Sequence, residues 1–173
     1  VKKTKKITQA MKMVSAAKFK RASQATLSIR PYVKGVQDIL NELGKDKSLV
    51  KSSHLLSENN NQKRAVILLT SDRGLCGGFN TNIIKFADKA IRDDVENVEL
   101  YIFGNKGKQF FKSKGYKIEP FNEEISDSPS KESLKRVIDP ILEKFEQGQI
   151  GKVELIFNEF ATALSSKLVN KQL

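Results

Sequence analysis

The first 37 residues of this chain contain no acidic side chain, and the first carboxylate is Asp38. Ten lysines and arginines fall in the same stretch and supply +10 of the net charge of +11. The remainder of the chain is therefore nearly neutral. A charge distribution this uneven indicates a binding partner rather than a type of fold.

Other scarcities exclude several classes of protein. Cys76 is the single cysteine, which excludes an internal disulfide and favours a reducing compartment. The longest strictly apolar run, residues 65–69, is far shorter than the roughly 18 residues of a membrane-spanning helix, so we expect no direct membrane insertion. The basic start is not followed by the apolar segment of a signal peptide. With one histidine, His54, and scattered carboxylates, we expect neither a metal nor a cofactor.

A helical pattern extends from Ile7 to Leu43, with apolar residues recurring every three or four positions. Alanines keep the first half of this apolar face small, which favours close approach of another helix. We expect Pro31 to kink this helix or to split it near Arg30. About 37 helical residues span roughly 55 Å, more than the roughly 40 Å diameter of a compact domain of this size. The helix should therefore overhang its domain and pair with a second helix.

The rest of the chain alternates between short apolar strands and helices. Residues 44–63 are a polar connector, interpreted as a loop or a frayed helix end. Residues 163–173 are expected to extend the last strand or to pair back on it. Asn105 and Ser130 are predicted helix caps. The alternation predicts a three-layer, mainly parallel, Rossmann-like α/β domain over residues 63–173, after an N-terminal helix and connector over residues 1–58. Strands are predicted at 64–70, 98–103, 116–118 and 153–160, and helices at 77–92, 106–114 and 130–145.

Residues 71–80, between a predicted strand and helix, form the most tempting chemical site. The run GLCGG at 74–78 fits the G-x-[S/C]-x-G elbow of a nucleophile, so a cysteine hydrolase using Cys76 is one alternative. Its base would have to be His54, which precedes the nucleophile, whereas α/β-hydrolases place histidine last. The glycines could instead cradle a phosphate, although neither common phosphate-binding signature is present. A tight turn containing a packed cysteine is the simpler interpretation.

The basic segment allows three partners when charge alone is considered. Ten cations without an acid suit a nucleic-acid-binding module, but Phe19 and Tyr32 are the segment's two aromatic residues and no recognition motif is present. A basic amphipathic helix could lie on an anionic membrane, although its alanine-rich face offers few bulky anchors. A helix packed against acidic protein surfaces is the third interpretation. Nucleic acid and protein remain about equally favoured on charge.

Two segments together resemble a known family. Residues 6–18, KITQAMKMVSAAK, resemble the N-terminal helix of the gamma subunits of F-type ATP synthases, where K-I-T-x-A-M-x-M-V-A-A-x-K is typical. Residues 71–80, SDRGLCGGFN, resemble that family's D-x-G-L-C-G-x-x-N turn. The two segments occur in the same order as in the family, and the similarity extends over essentially the whole chain.

The resemblance implies a central rotor shaft that couples rotation of a membrane c-ring to ATP synthesis or hydrolysis at the beta subunits. In that family the N- and C-terminal helices form an antiparallel coiled coil within the ring of alpha and beta subunits, and the α/β domain lies near the epsilon subunit. The implied chain is a non-catalytic subunit with no catalytic or cofactor residue and no nucleic-acid partner. The implied location is the cytoplasmic face of the bacterial inner membrane, and the mitochondrial matrix side is the second alternative. The family's C-terminal helix has no counterpart here, so we expect both ends to be cut from a longer chain.

By the same resemblance, acidic lever loops of the beta subunits push against the shaft. Lys12, Lys18, Lys20 and Arg21 are the candidates to face them, and Met11 is a compliant packing residue near the same zone. Exposed ion pairs contribute only about 0.2–1 kcal/mol each, so several cations together, rather than any single one, would bias the shaft. The full set of predicted interface residues is Lys6, Ile7, Met11, Lys12, Val14, Lys18, Lys20, Arg21, Arg73 and Cys76.

Overall fold

The computed structural model describes residues 2–53, 55–56, 60–120, 130–162 and 165–173. The chain divides into two compact units, residues 1–57 and residues 58–173. The first unit contains α1 (Lys2–Leu43) and α2 (Lys47–Ser52). The second unit contains β1 (Arg64–Leu69), α3 (Phe79–Ile91), a 3-10 turn (Arg92–Asn97), β2 (Val98–Phe103), α4 (Asn105–Ser113), α5 (Lys131–Glu146), β3 (Lys152–Phe160) and β4 (Ser166–Gln172).

Helix α1 extends for 42 residues, and Pro31 lies inside it. A split near Arg30, one of the two outcomes predicted for this proline, is therefore wrong. A proline removes one backbone hydrogen bond, and the flanking turns keep theirs. The alanine-rich sequence on the N-terminal side of Pro31 favours continuation because alanine has the highest helix propensity.

Helix α2 occupies part of the segment that was interpreted as a loop or frayed helix end. The Asp46 carboxylate starts it by accepting hydrogen bonds from the amides of Ser48 (2.8 Å) and Leu49 (3.4 Å). The Ser48 hydroxyl donates to the same carboxylate oxygen at 2.6 Å. These bonds, those of Ser48 first, hold the pKa of Asp46 below its usual value. An aspartate followed two residues later by serine was therefore the signal of a helix start.

The second unit contains a four-stranded sheet in the order β2-β1-β3-β4. Strand β1 is parallel to both neighbours, with Val66 opposite Leu100 of β2 and opposite Glu154 of β3. Strand β4 pairs back on β3 in antiparallel register, which was one of the two predicted outcomes. The sheet is therefore mainly parallel with one antiparallel edge.

The strand predicted at residues 116–118 is reduced to one isolated bridge between Leu100 and Ile118. Gly115 turns the chain with φ 79°, and the ring of Tyr116 then packs edge-on against Phe111, with ring centroids 5.1 Å apart. Tyr116, the first residue of the predicted strand, therefore packs against α4, and the first bridge to β2 is at Ile118.

Helices cover both faces of the sheet, and two clusters of buried side chains form the core. Burial of each large aliphatic side chain contributes about 1.5–3 kcal/mol, so these clusters dominate the stability of the unit. The first cluster joins α3 and α4 to the sheet through Val66, Leu68, Ile83, Ile84, Ala87, Ile91, Leu100, Ile102, Phe111 and Ile156. The second joins α5 to the opposite face through Ala65, Ile67, Tyr101, Ile141, Ile150 and Val153.

The two predicted caps have different outcomes. Ser130 caps α5 in a reciprocal box with Ser133, each backbone amide donating to the other hydroxyl at 3.1 Å. Asn105 is not a cap, because it is the first residue of α4 and follows Gly104, whose φ is 92°. The Asn105 amide donates instead to the carboxylate of Asp72 at 3.0 Å. The capping group of α4 therefore comes from the segment after β1.

Arg64 joins β1 to three other parts of the second unit. Its Nη1 lies 2.5 Å from Oε2 of Glu154, its Nη2 donates to the carbonyl of Ala90 at 2.9 Å, and its Nε lies 3.8 Å from Asp94. Glu154 is 5% exposed and also accepts from Lys152 at 2.7 Å. Burial raises the pKa of Glu154, but hydrogen bonds from Lys152 and Arg64 outweigh it and lower that pKa overall. The carboxylate therefore stays charged at neutral pH.

A hydrogen bond from Tyr116, which follows α4, links this end of α4 to α3. The Tyr116 hydroxyl donates to the Asp88 carboxylate at 2.8 Å. Burial, followed by the hydrogen bond to Asp88, raises the pKa of Tyr116 from 10.0 to about 12.

Stability should therefore fall as pH rises from about 10 to about 12. The unfolded chain loses the Tyr116 proton near 10.0, whereas the folded chain keeps it up to about 12. The stabilisation is thus complete below pH 10 and disappears through this window. Urea unfolding at about pH 9 and about pH 11 should show a smaller alkaline loss for Tyr116→Phe than for the wild-type chain. Equal losses in the two proteins would contradict this assignment.

Candidate interaction surfaces

Eight of the ten predicted contact residues lie on α1, and all eight are exposed. Because a helix turns by roughly 100° per residue, Ile7, Met11 and Val14 fall within roughly 60° of one another. The apolar stripe continues along α1 with Ile29, Val33, Val36, Leu40 and Leu43, each exposed over more than a third of its surface. No described residue of α1 is buried. A long exposed apolar stripe on a helix is typical of a surface that packs against another chain or segment.

The cations of α1 are not confined to one side. Helical geometry separates Lys12, Lys18, Lys20 and Arg21 around the helix by gaps of roughly 60° to 120°. Lys18 falls near the centre of the apolar stripe, and Lys12 and Lys20 lie well away from it. The prediction that these four residues face acidic partners stays a prediction, but a single flat acidic surface could not contact all four.

The segment from Ser71 to Asn80 is a turn that joins β1 to α3, here called the 71–80 turn. The turn is tight because Leu75 and Gly77 have positive φ values of 63° and 57°. Asn80, 9% exposed, holds it from within: its Oδ1 accepts from the Ser71 amide at 3.0 Å. Its Nδ2 lies within hydrogen-bond distance of the Ser71 hydroxyl (2.8 Å) and of the carbonyl of Arg73 (3.3 Å).

Arg73 and Cys76 are both exposed on the 71–80 turn. The Cys76 sulfur accepts a hydrogen bond from Nδ2 of Asn80 at 3.1 Å and lies 4.0 Å from the Ser71 hydroxyl. Neither neighbour is a base that could take the thiol proton, as a cysteine nucleophile requires. His54, the base considered in the sequence, lies outside the described residues. The geometry therefore gives no support to a cysteine hydrolase.

The same segment closes the N-terminus of α4, where a phosphate could otherwise bind. The Asp72 carboxylate accepts from Asn105, the Thr70 hydroxyl accepts from Gly107 at 3.0 Å, and the Ser71 carbonyl accepts from Lys106 at 3.1 Å. A carboxylate already occupies the position favoured by an anion at a helix N-terminus. This arrangement disfavours a phosphate at the N-terminus of α4. The phosphate cradle predicted from the glycines before α3 stays a prediction.

A shallow groove of about 430 Å³ lies between α3 and α4. Its lining includes two lysines and no carboxylate or imidazole, so it lacks the usual groups for acid–base chemistry. The lining residues are Asn80, Thr81, Ile84, Lys85, Lys106, Gln109 and Phe110.

Neither a metal centre nor a membrane span is found in the described part of the chain. Over those residues no group of three or more histidine, cysteine, aspartate or glutamate side chains is arranged to hold an ion. Over the same ranges no helix combines the length and apolar character needed to cross a bilayer. The exposed features of α1 and of the 71–80 turn remain as the candidates for function.

Comparison with known proteins assigns these features to a family. A sequence model of the ATP synthase family matches residues 1–173. The ATP synthase gamma chain of Desulfitobacterium hafniense is 37% identical over 169 residues, covering 96% of this chain and 59% of that protein. The gamma chain of Heliobacterium modesticaldum is 38% identical over 175 residues, covering 100% of this chain and 59% of that protein. This chain belongs to the ATP synthase gamma family.

This gamma-family chain spans about three fifths of the length of the curated relatives it matches. A solved structure, the central stalk and c-ring of the Tetrahymena thermophila mitochondrial ATP synthase, aligns with a TM-score of 0.67 and 24% identity. The alignment covers 96% of this chain and 71% of that one. At this identity the likeness concerns the fold: a long N-terminal helix followed by a mixed sheet with helices.

Family membership confirms the resemblance that residues 6–18 and 71–80 indicated. The contact residues predicted in the 71–80 turn are Arg73 and Cys76, and this prediction leaves out Leu75. Leu75 is 96% exposed, more than any other large apolar residue described. A leucine at the centre of a turn among three glycines was the available signal, since glycine-rich turns leave few ways to bury a side chain.

Proposed function

We propose that this gamma-family chain is the central rotor shaft of a proton-translocating F-type ATP synthase. In this role it couples rotation of the membrane c-ring to ATP synthesis or hydrolysis at the beta subunits and carries out no catalysis itself. The observation that carries the proposal is α1: 42 residues of helix with an exposed apolar stripe and cations on every side. A helix of this kind suits a position surrounded by other chains.

The two parts of the chain take different roles in this proposal. Residues 1–58 form the shaft helix and its connector, and α1 supplies one half of an antiparallel coiled coil through its apolar stripe. Residues 63–173 form a Rossmann-like α/β domain. The proposed partners are the alpha and beta subunits, the epsilon subunit and the c-ring, without nucleic acid. The proposed location is peripheral, on the cytoplasmic face of a bacterial inner membrane.

Torque passes mainly by steric contact in this proposal, because individual charge contacts are weak. Each exposed ion pair contributes about 0.2–1 kcal/mol, against RT of about 0.6 kcal/mol. Lys12, Lys18, Lys20 and Arg21 therefore bias the contacts with acidic beta levers only as a group. Lys6, Ile7, Met11 and Val14 complete the proposed contact zone on α1. In this proposal the 71–80 turn lies close to a beta lever, which makes Arg73 and Cys76 interface residues.

Reversing the four cations together should impair coupling, while reversing any one should do little. The change K12E/K18E/K20E/R21E should lower ATP-driven proton pumping about tenfold or more in reconstituted enzyme, because several contacts of about 1 kcal/mol are lost together. Each single reversal should change pumping by less than about fivefold. Proton pumping in vesicles, normalised to ATP hydrolysis, measures both effects.

A charge-matched control separates the location of the charge from its amount. The variant K47E/K51E/K112E/K114E reverses four exposed lysines outside α1 and should pump normally. Full pumping by the α1 variant would remove the charge contribution from the mechanism. Co-purification of the wild-type chain with alpha, beta and epsilon subunits tests the shaft assignment itself, and its failure would contradict that assignment.

A further inference from the structure

The groove between α3 and α4 has an apolar floor. The floor is formed by Ile84 of α3 and Phe110 of α4. Ile84 is 7% exposed and belongs to the first buried cluster, and Phe110 packs against the same cluster. At about 430 Å³, the groove lies at the small end of the usual range of small-molecule sites, roughly 300–1,000 Å³. It therefore has room for one short ligand with an apolar part.

Each helix presents residues at positions i, i+3 and i+4 to the groove, a spacing that places side chains on one face of a helix. These residues are Thr81, Ile84 and Lys85 from α3, and Lys106, Gln109 and Phe110 from α4. Each set combines one apolar side chain, one lysine and one uncharged side chain that can donate a hydrogen bond. The two walls therefore supply both apolar contact and hydrogen-bond donors.

The rim of the groove is positive and lacks a counter-charge. No described residue with a carboxylate lines the groove, and neither Lys85 nor Lys106 forms an ion pair within the described residues. Lys85 is exposed and Lys106 is half-buried. Two acids of neighbouring segments are engaged elsewhere, since Asp88 accepts from a tyrosine hydroxyl at 2.8 Å and Asp72 accepts from the first amide of α4 at 3.0 Å. A cleft lined by one sign of charge attracts a ligand of the opposite sign.

We infer that this groove binds a free phosphate monoester with a short apolar tail. A phosphate monoester carries about −1.5 to −2 charges near pH 7 and has three strong acceptor oxygens. That head suits one cation on each wall together with the donors of Thr81 and Gln109. The tail lies on Ile84 and Phe110. A groove of about 430 Å³ suits a single short chain better than a two-chain lipid.

A protein segment fits the groove less well than a small molecule. A docked peptide helix uses anchor residues at positions i, i+3, i+4 and i+7, which extend over two helical turns. The lining from each wall covers only about one turn, residues 81–85 on α3 and residues 106–110 on α4. The length of the groove therefore favours a small ligand.

Calorimetric titration of the full-length chain with octyl phosphate tests the assignment. We expect a Kd of about 1 mM or lower, the affinity typical of a ligand of this size in an open groove. Butyl phosphate should bind at least about tenfold more weakly, because four methylene groups no longer contact the floor. Inorganic phosphate should show no measurable binding. Octyl phosphate that binds no more tightly than inorganic phosphate would overturn the inference.

A pair of lysine variants separates the groove from the general positive charge of the chain. K85Q/K106Q should raise the Kd for octyl phosphate about tenfold or more, because two charge-assisted hydrogen bonds are lost. K89Q/K112Q removes one exposed lysine from each of the same two helices outside the groove and should bind within about twofold of wild type. Equal losses in the two variants would mean that only net charge attracts the ligand, and the groove would have no role.

Methyl NMR spectra of the full-length chain locate the ligand. Octyl phosphate should shift the methyl signals of Ile84 in a saturable manner. The signals of Ile150 should stay in place, because Ile150 is fully buried in the second cluster on the opposite face of the sheet. Unshifted Ile84 signals, or an equal shift at Ile150, would contradict binding in the groove.

Three further ligands test the chemical class. Octanoate carries a similar tail with a single charge and should bind at least about threefold more weakly than octyl phosphate. Vesicles containing phosphatidic acid, and an acidic amphipathic peptide, should each bind K85Q/K106Q as tightly as wild type, because neither uses the groove. Equal binding of octanoate would overturn the choice of a phosphate. Weaker binding of the vesicles or of the peptide to K85Q/K106Q would assign the groove to a membrane or to a protein partner instead.

Binding in the groove does not require the shaft assignment to be correct, because every residue involved belongs to the second unit and the titration uses the chain alone. Failure of octyl phosphate to bind would leave the proposed function standing. Failure of the chain to co-purify with alpha, beta and epsilon subunits would leave the ligand site standing.

Discussion

Gly104→Ala should lower the free energy of unfolding of the second unit by about 3 kcal/mol or more, combining backbone strain with overpacking. Gly104 lies between β2 and α4 with a φ of 92°. A Cβ there would stand 2.2 Å from the Thr70 carbonyl oxygen and 2.6 Å from its hydroxyl. The hydroxyl cannot retreat, because it accepts from the Gly107 amide and caps α4, and the Thr70 backbone is held by the hydrogen bond from its amide to the Phe103 carbonyl at 2.8 Å.

Gly115→Ala is the matched control for this prediction. Gly115 also has a positive φ, 79°, but a Cβ there would meet nothing within 4 Å. Its substitution carries only the backbone penalty, about 1–2 kcal/mol. Urea unfolding followed by circular dichroism measures both variants. Equal losses would show that the close approach of Thr70 to Gly104 does not matter.

Arg64→Leu should destabilise the second unit by about 3 kcal/mol, since a buried carboxylate loses a partner. Glu154 would then depend on Lys152 alone, and the Ala90 carbonyl would lose its donor. Arg64→Leu/Glu154→Leu should recover most of this loss, because no buried charge remains without its partner. Urea unfolding at neutral pH measures the single and double variants, and a double variant no more stable than the single would contradict the argument.

The penalty of Arg64→Leu should shrink in acid. Hydrogen bonds from Lys152 and Arg64 hold the pKa of Glu154 below its ordinary value of 4.5. The ionised Glu154 carboxylate therefore stabilises the folded state fully above about pH 4.5, and this stabilisation is lost as the pH falls through the lowered pKa. Lys117→Met, which removes the exposed partner of Glu119, should leave the unfolding midpoint nearly unchanged and serves as control.

Local sequence was sufficient where structure is set by neighbouring residues. Strand β2 lies at the predicted residues 98–103, because a short apolar run with β-branched and aromatic residues packs well in a buried strand. Ser130 was identifiable as a cap because both partners of its box lie three residues apart. The angular spread of the cations on α1 also follows from their spacing alone.

Features that depend on distant parts of the chain were not predictable. Asn105 was predicted as the cap of α4 from its position before the helix. The group that caps α4 is the carboxylate of Asp72, which comes from another loop and is not visible in the local sequence. The extreme exposure of Leu75 depends on Asn80 holding the turn outward and on α4 packing beside it. Local propensity contains neither fact, because both arise from tertiary packing.

In the proposed shaft, the spread of cations around α1 has a consequence for rotation. A rod that carries charge on only one side would have a deep electrostatic minimum at one orientation within a circle of acidic groups. Lys12, Lys20 and Arg21 lie outside the centre of the apolar stripe of α1 and at different angles, roughly 80° to 180° apart. Turning the shaft therefore brings them to acidic groups one after another rather than all at once. Because each exposed contact is worth about 0.2–1 kcal/mol, these charges favour no single orientation by more than about twice RT.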